Sequence, residues 1–383
     1  MDSELHAAPR LRRALGAAEE PLVIDSARRL HEAAAAWASC PILGLDTEFV
    51  RERTYRADLG LVQLSDGKTA WLIDPAAIED LGPVTAVLRD PKIEKVIHSG
   101  SEDFEVLYHR LGAEIRGVED SQIACAMLGQ SLQLGYHHAA SWLLDVEIDK
   151  DHTRSNWLKR PLSAGQLRYA ALDVVLLPMM MEQLRDRLKE LDRWSWLLED
   201  VARIQRNSIE DVPPELAWMR IGGAGALNAL ERAVLCSLAE WREQTALEKN
   251  IARGFIVPDP ALIAMARHQP ASSNELKSLD SIHPKAIERY GAKWLEMIRQ
   301  AEARPPLTAL PQLTQKHRKW LKAMRTRVSS IANSLNVDAA LLASRKQLER
   351  LIFQFEASGE IPQRFTGWRK DVVTGDLLAI MQE

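Results

Sequence analysis

The run Ile42-Leu43-Gly44-Leu45-Asp46-Thr47-Glu48-Phe49-Val50 sets two acids into what otherwise reads as a buried strand. Side chains alternate along a strand with a period of two, so Asp46 and Glu48 project from one face and Thr47 from the other. Two carboxylates at that spacing repel unless a cation lies between them, and paired oxygens of this kind suit hard divalent ions such as Mg2+ or Mn2+. The alternative is a strand that stops at Leu45 and leaves both acids in a solvated loop. Taken alone, the pair does not choose between the two.

The surrounding pattern is α/β. Leu22–Ile24 reads as a short strand, and a helix through Leu30–Ala38 follows with Asp25 or Ser26 as its cap. Leu59–Leu64 reads as a strand ending at Asp66-Gly67, a two-residue hairpin signal, with Trp71–Ile73 returning. A helix through Val84–Leu88, a strand over Lys95–His98 and a helix from Ser99–Ser101 continue the alternation, which predicts a mixed sheet with helices on its faces. From Ser121 to Leu191 the pattern is helical, with a polar break at Asp149–Asn156.

Residues 1–20, with Pro9, Gly16 and the arginines at 10, 12 and 13, read as a poorly ordered extension ahead of a domain spanning 21–210. Pro213-Pro214 and the Gly222-Gly223-Ala224-Gly225 run break the helical pattern and predict a linker over 211–221. Downstream there is almost no strand signal, and Pro305-Pro306 divides this helical half into 222–303 and 306–383. At 383 residues, two or three domains are expected at roughly 150 residues each. No apolar run is long enough for a membrane span, and the acidic N-terminus lacks the apolar core of a secretory signal. Three scattered cysteines argue against a disulfide framework or a zinc site and fit a reducing cytoplasm. With a net charge of -4, nucleic-acid contacts must come from local patches, and the last module alone is basic: residues 306–383 carry 12 Lys+Arg against 7 Asp+Glu.

Two further stretches bear on Asp46 and Glu48. In His98-Ser99-Gly100-Ser101-Glu102-Asp103-Phe104, the small residues make a tight strand-to-helix turn that places Asp103 in the first helical turn. Glu102 competes for the role, and Asp103 could equally be complementing the positive end of its own helix. In Gln166-Leu167-Arg168-Tyr169-Ala170-Ala171-Leu172-Asp173, Tyr169 and Asp173 are four apart and share a helix face. Asp173 lies among apolar neighbours, where a carboxylate without a partner is costly, so it needs one.

Asp-x-Glu on a strand, an Asp after a later strand and Tyr-x-x-x-Asp on a helix, in that order, resemble the DEDDy branch of the DEDD 3'→5' exonucleases, and within it the ribonuclease D family. Asp46–Phe49, His98–Asp103 and Tyr169–Asp173 correspond to its three exonuclease motifs, and Gln63-Leu64, Ile73-Asp74-Pro75 and Trp157–Leu162 look similar too. The resemblance implies a ribonuclease H-like α/β exonuclease domain followed by two all-α HRDC-type domains. It implies a hydrolase with two divalent ions, Mg2+ or Mn2+, that releases nucleoside 5'-monophosphates from single-stranded RNA 3' ends, precursor tRNA among them. Asp46 would bridge both ions, Glu48 and Asp173 would complete the site that carries the attacking water, Asp103 would support the second ion, and Tyr169 would orient the nucleophile. Its hydroxyl, ordinarily titrating near 10, is a poor base at neutral pH.

Thr47, Phe49, Arg154, Trp157, Lys159 and Arg160 are candidate substrate contacts, with Arg51, Arg53 and Arg168 as further phosphate candidates. Lys316, Arg318, Lys319, Lys322, Arg325 and Arg327 form a candidate RNA tether. A cytoplasmic monomer is expected. Two rival readings share the pattern: an exodeoxyribonuclease of the same fold, and a catalytically silent nucleic-acid-binding adaptor.

Overall fold

Among the described residues, six strands form one mixed sheet in the order β1-β4-β3-β2-β5-β6, where β1 is Leu22–Ile24, β2 Ile42–Val50, β3 Asp58–Ser65, β4 Ala70–Ile73, β5 Glu94–Ile97 and β6 Val118–Asp120. The acidic strand β2 is central, paired in parallel with β5 through Ile42↔Glu94 to Gly44↔Val96. The β3–β4 hairpin is antiparallel, while β1 runs parallel to β4 and β6 parallel to β5. The computed structural model describes residues 2–148, 155–301 and 311–382, with side chains from residue 8 onward.

The helices that accompany this sheet are α1 Asp2–Glu19, α2 Ala27–Trp37, α3 Gly82–Arg89, α4 Ser101–Leu111, α5 Ser121–Met127, α6 Tyr136–Leu144, α7 Ala164–Val175, α8 Leu177–Glu190 and α9 Trp194–Ile209. Further along the chain come α10 Ala229–Lys249, α11 Arg253–Ile256, α12 Asp259–His268, α13 Ser273–Lys277, α14 Pro284–Ala301, α15 Gln315–Leu335, α16 Ala339–Leu342, α17 Arg345–Ser358 and α18 Gly375–Gln382.

The chain divides into two compact units, one of Met1–Val50, Leu59–Ile209 and Leu313–Glu383, the other of Arg51–Asp58 and Glu210–Gln312. The last helical module therefore belongs with the sheet. Its attachment is built on Asp200 of α9, a buried carboxylate held at 2.6 and 2.7 Å by both arms of the Arg369 guanidinium, itself 1% exposed. Arg369 also donates to the carbonyls of Leu341 and Leu342, and Trp196 of α9 stacks on Trp368 at 4.4 Å. Gly367, at φ +61°, lets Glu199 approach so closely that a β-carbon there would overlap its carboxylate. Arg193, between α8 and α9, reaches the Leu335 carbonyl at the end of α15.

Three expectations need correction, and one strand has no counterpart in the sequence pattern. Residues 2–19 form a helix: α1 packs on α7, with Ala14 and Ala18 buried because their small side chains allow close approach, and with Glu19 paired to Arg168 and Arg10 to Glu182. The 211–221 stretch is no linker, since Trp218 and Ile221 are buried in the core of the second unit together with Leu227 and Trp241. The β3–β4 turn spans four residues, not two, because Asp66 turns its carboxylate back onto the amides of Lys68 and Thr69. Strand β6 interrupts the segment between α4 and α5 without a sequence signal of its own, being three residues long and ending in two acidic side chains, Glu119 and Asp120.

Candidate active site

The geometry of the site begins with Gly44. Residues 44, 46 and 48 lie on one face of β2, and a β-carbon at Gly44 would overlap the carbonyl oxygen of Val174. Without that β-carbon, the end of α7 presses onto the strand and delivers Asp173, the residue before Val174, to Asp46 and Glu48. The capping box of Ser163 and Gln166 sets the start of α7, so Tyr169 and Asp173 reach the sheet one turn apart. Carboxylate oxygens of Asp46, Glu48 and Asp173 all lie within 4.8 Å of one another.

Asp103 lies beside this trio, outside the three-oxygen set. It is 6% exposed and accepts a hydrogen bond from the Thr47 hydroxyl, whereas Glu102 points to solvent. Packing thus separates the two acids that spacing could not. The turn ahead of α4 is held by Asp120, whose carboxylate accepts from the amides of Ser99 at 3.0 Å and Gly100 at 2.9 Å, and from Gln122 and Ile123 of α5. Ser99 occupies φ +66°, a conformation that needs such support. Asp120 is the supporting residue that the motifs do not reveal, although an Asp immediately before a helix start is a recognisable cap.

The electrostatics are those of crowded like charges in a poorly solvated site. Burial, then Asp103, Asp173 and Glu48, push the Asp46 carboxyl well above its ordinary range. Burial and the neighbouring Asp173 and Asp103 raise Glu48 to about 9. Burial raises Asp173 to about 7 and Asp103 to about 6, each opposed by a hydroxyl donor, Tyr169 for the former and Thr47 for the latter. Burial and the adjacent Asp173 raise Tyr169 too, so its hydroxyl stays protonated and donates to Asp173. A hard divalent cation fits this donor set: three carboxyls converge with a fourth beside them, no Lys or Arg is among the causes of any of these shifts, and a bound cation would oppose each repulsive contribution.

Of the candidate substrate contacts, Thr47 is buried and its hydroxyl is engaged by Asp103; Phe49 is half-buried; Lys159 is exposed. Trp157 is 2% exposed, its indole donates to Glu48, and its ring lies 6.1 Å from that of Tyr169. Arg160 is the clear correction. Its five N–H donors are committed to Asp74, Gly60, Trp157 and Lys159 at 2.6–3.1 Å, which leaves none for a phosphate. Arg160 instead anchors the segment from which Trp157 reaches Glu48. Arg168 is paired with Glu19, Arg51 and Arg53 belong to the second unit, and Arg154 lies outside the described residues.

Residues 21–189 match the 3'-5' exonuclease family, 231–298 the HRDC domain, and 316–377 the ribonuclease D C-terminal HRDC domain. Ribonuclease D from Shewanella sp. (strain ANA-3) is 35% identical over 352 residues, covering 91% of each chain. The chain belongs to the ribonuclease D family. Ribonuclease D of Escherichia coli (strain K12) is likewise 35% identical, over 94% of this chain and 97% of that one. The crystal structure of Escherichia coli RNase D, described as an exoribonuclease involved in structured RNA processing, superposes with a TM-score of 0.89 at 33% identity, covering 95% of this chain and 99% of the other. Helix α1 precedes the first residue matched by the exonuclease family.

Proposed function

We propose that this chain is a metal-dependent exoribonuclease that removes nucleoside 5'-monophosphates one at a time from RNA 3' ends, with Asp46, Glu48, Asp103 and Asp173 as metal ligands and Tyr169 as an orienting group. The observation that carries the reading is the convergence of three carboxylates from β2 and α7 within 4.8 Å, with a fourth beside them, in a family of 3'-5' exonucleases. Bound divalent ions supply an acidified water and charge stabilisation for the departing 3' oxygen. The side chains supply the rest. Asp46 faces Asp103, Asp173 and Glu48 at once, Glu48 is steered by the Trp157 indole, and Asp173 by the Tyr169 hydroxyl. Tyr169, held protonated, acts as a hydrogen-bond donor and not as the base.

The physiological task we assign is 3' maturation of precursor tRNA and other stable RNAs, by a cytoplasmic monomer with a nuclease domain followed by two helical domains, the first of which takes in the 211–221 stretch. The relatives' names, three cysteines that form no disulfide and the absence, among the described residues, of a helix able to cross a membrane support this assignment. The test is nucleotide release from single-stranded RNA and DNA by purified wild-type and Asp46→Asn protein, with and without Mg2+ or Mn2+. Metal-dependent release of 5'-monophosphates from RNA, reduced about 10³-fold or more in the variant, is expected, because displacement chemistry of this kind rests on charge stabilisation. Near-normal turnover by Asp46→Asn would end the assignment, and a strong preference for DNA would transfer it to an exodeoxyribonuclease.

A further inference from the structure

The stretch that carries Asp173 is not one continuous helix. Leu176 leaves the helical ladder between α7 and α8, and its amide, which in an unbroken helix would donate to the carbonyl of Leu172, turns to that of Val174. Pro178 is one cause, since it has no amide to give to Val174 and its ring crowds that carbonyl, the same one that presses on Gly44 of β2. The other occupies the gap. The hydroxyl of Tyr136, the first residue of α6, donates to the Leu172 carbonyl at 2.7 Å and accepts from the Leu176 amide, so it stands where the missing backbone hydrogen bond would run. A side chain inserted into the ladder in this way holds a kink open. Leu172, Leu176 and Tyr136 are all buried, which leaves neither backbone group to be satisfied by solvent.

Asp173 lies inside this break, between Leu172 and Leu176, and both Asp173 and Asp46 are near enough to act electrostatically on the Tyr136 hydroxyl. That hydroxyl bonds to backbone and, among the described residues, to no carboxylate, so its part is one of placement. Tyr136 is in turn held from the second motif. His98, which follows β5, meets the Ser121 hydroxyl at 2.8 Å through Nδ1, and its Nε2 donates at 2.8 Å to the carbonyl of Leu134, two residues before Tyr136. Its ring stands edge-on to that of Tyr136 at 5.8 Å. The turn that leads to Asp103 thus fixes the start of α6, and α6 reaches the kink beside Asp173.

We propose that Tyr136 is a positioning residue for the metal site: its hydroxyl, wedged between Leu172 and Leu176, holds the break that aims the Asp173 carboxylate at Asp46 and Glu48. The proposal rests on the metal-dependent exoribonuclease reading above. Without the hydroxyl, the Leu172 carbonyl and the Leu176 amide escape being buried unpaired by bonding to each other as in a continuous helix, which rewinds residues 173–175 and carries Asp173 away from its partners. The experiment uses the full chain with Y136F, which removes one oxygen and keeps the ring, and with Y55F as a control. Tyr55 is buried as well, and its hydroxyl donates to Glu243 at 2.6 Å within the second unit. Mn2+ binding is followed by calorimetry without RNA, stability by thermal unfolding in EDTA, and kcat and KM on single-stranded RNA across a Mn2+ titration. In Y136F the Kd for Mn2+ rises about tenfold or more, as for other groups that orient metal ligands, while kcat approaches wild type at saturating Mn2+ and KM for RNA is unchanged. Y55F loses thermal stability and keeps the wild-type Kd for Mn2+. A Y136F protein with lowered Tm and wild-type Mn2+ affinity would overturn the proposal, because the hydroxyl would then only be satisfying two backbone groups. Equal losses of Mn2+ affinity in Y136F and Y55F would overturn it too, as a general softening of the fold. P178A, which restores an amide at 178 with Tyr136 in place, is a second test that stands even if Y136F fails to fold: its Kd for Mn2+ stays within about twofold of wild type, and a tenfold loss would assign the kink to the proline. Absence of Mn2+ binding and of RNA hydrolysis in wild type would sink the underlying reading, and the role of Tyr136 with it.

Discussion

Asp173→Asn should make the metal-free protein more stable while abolishing hydrolysis, two effects that a purely structural carboxylate would not produce together. The Asp173 carboxyl is displaced from 3.8 to about 7 by burial. A carboxyl whose pKa is higher in the folded than in the unfolded chain binds more protons when folded, so its contribution worsens as pH rises through that interval and levels off above it. Three pKa units at about 1.36 kcal/mol each put the ceiling near 4 kcal/mol. Because neighbouring carboxyls share protons, a single substitution recovers part of this, about 1–3 kcal/mol at about pH 8, and less than half as much near pH 5. For a folding unit of this size that is a rise in Tm of several degrees, roughly 2–4 °C per kcal/mol. The assay is thermal unfolding of both proteins in EDTA at the two pH values, repeated with saturating Mn2+. With metal, wild type gains stability by mass action and the order inverts. If Asp173→Asn unfolded at or below the wild-type temperature in EDTA near pH 8, with its secondary structure intact, the crowded-carboxylate account would be refuted.

Two other outcomes follow from the geometry. Arg369→Met removes the bidentate partner of the buried Asp200 but leaves Arg203 at 3.3 Å and Arg364 at 3.5 Å, so it should cost about 1.5–3 kcal/mol in denaturant unfolding monitored by tryptophan fluorescence, with the stacked Trp196–Trp368 pair as reporter. Arg160→Lys replaces a five-donor fork with a point charge, so Trp157 should loosen and Glu48 lose its donor; apparent Mn2+ affinity should fall about 10-fold or more, as for other groups that orient metal ligands, while circular dichroism stays unchanged.

Periodicity is legible in the bare chain. The two-residue alternation of β2 puts Asp46 and Glu48 together, and the four-residue spacing on α7 puts Tyr169 and Asp173 together, because both follow from backbone geometry alone. The alternation of strands and helices likewise indicates an α/β sheet, and the turn residues at 99–101 indicate where α4 begins. The order of the three motifs adds a family resemblance that the relatives bear out.

What the linear order cannot settle is every choice that depends on which distant surfaces meet. Asp103 and Glu102 are adjacent in sequence and chemically alike, and only the packing of α4 buries one and exposes the other. Arg160 looks like a phosphate contact until Asp74 and the carbonyl of Gly60, far away along the chain, take its donors. Residues 2–19 look unstructured until α7 offers Ala14 and Ala18 a surface to cover, and the basic last module looks like a loose tether until Asp200 claims Arg369. Local periodicity is a property of the backbone; the partner of a buried charge is a property of the assembled fold, since the desolvation that makes a partner necessary does not exist until the fold has formed.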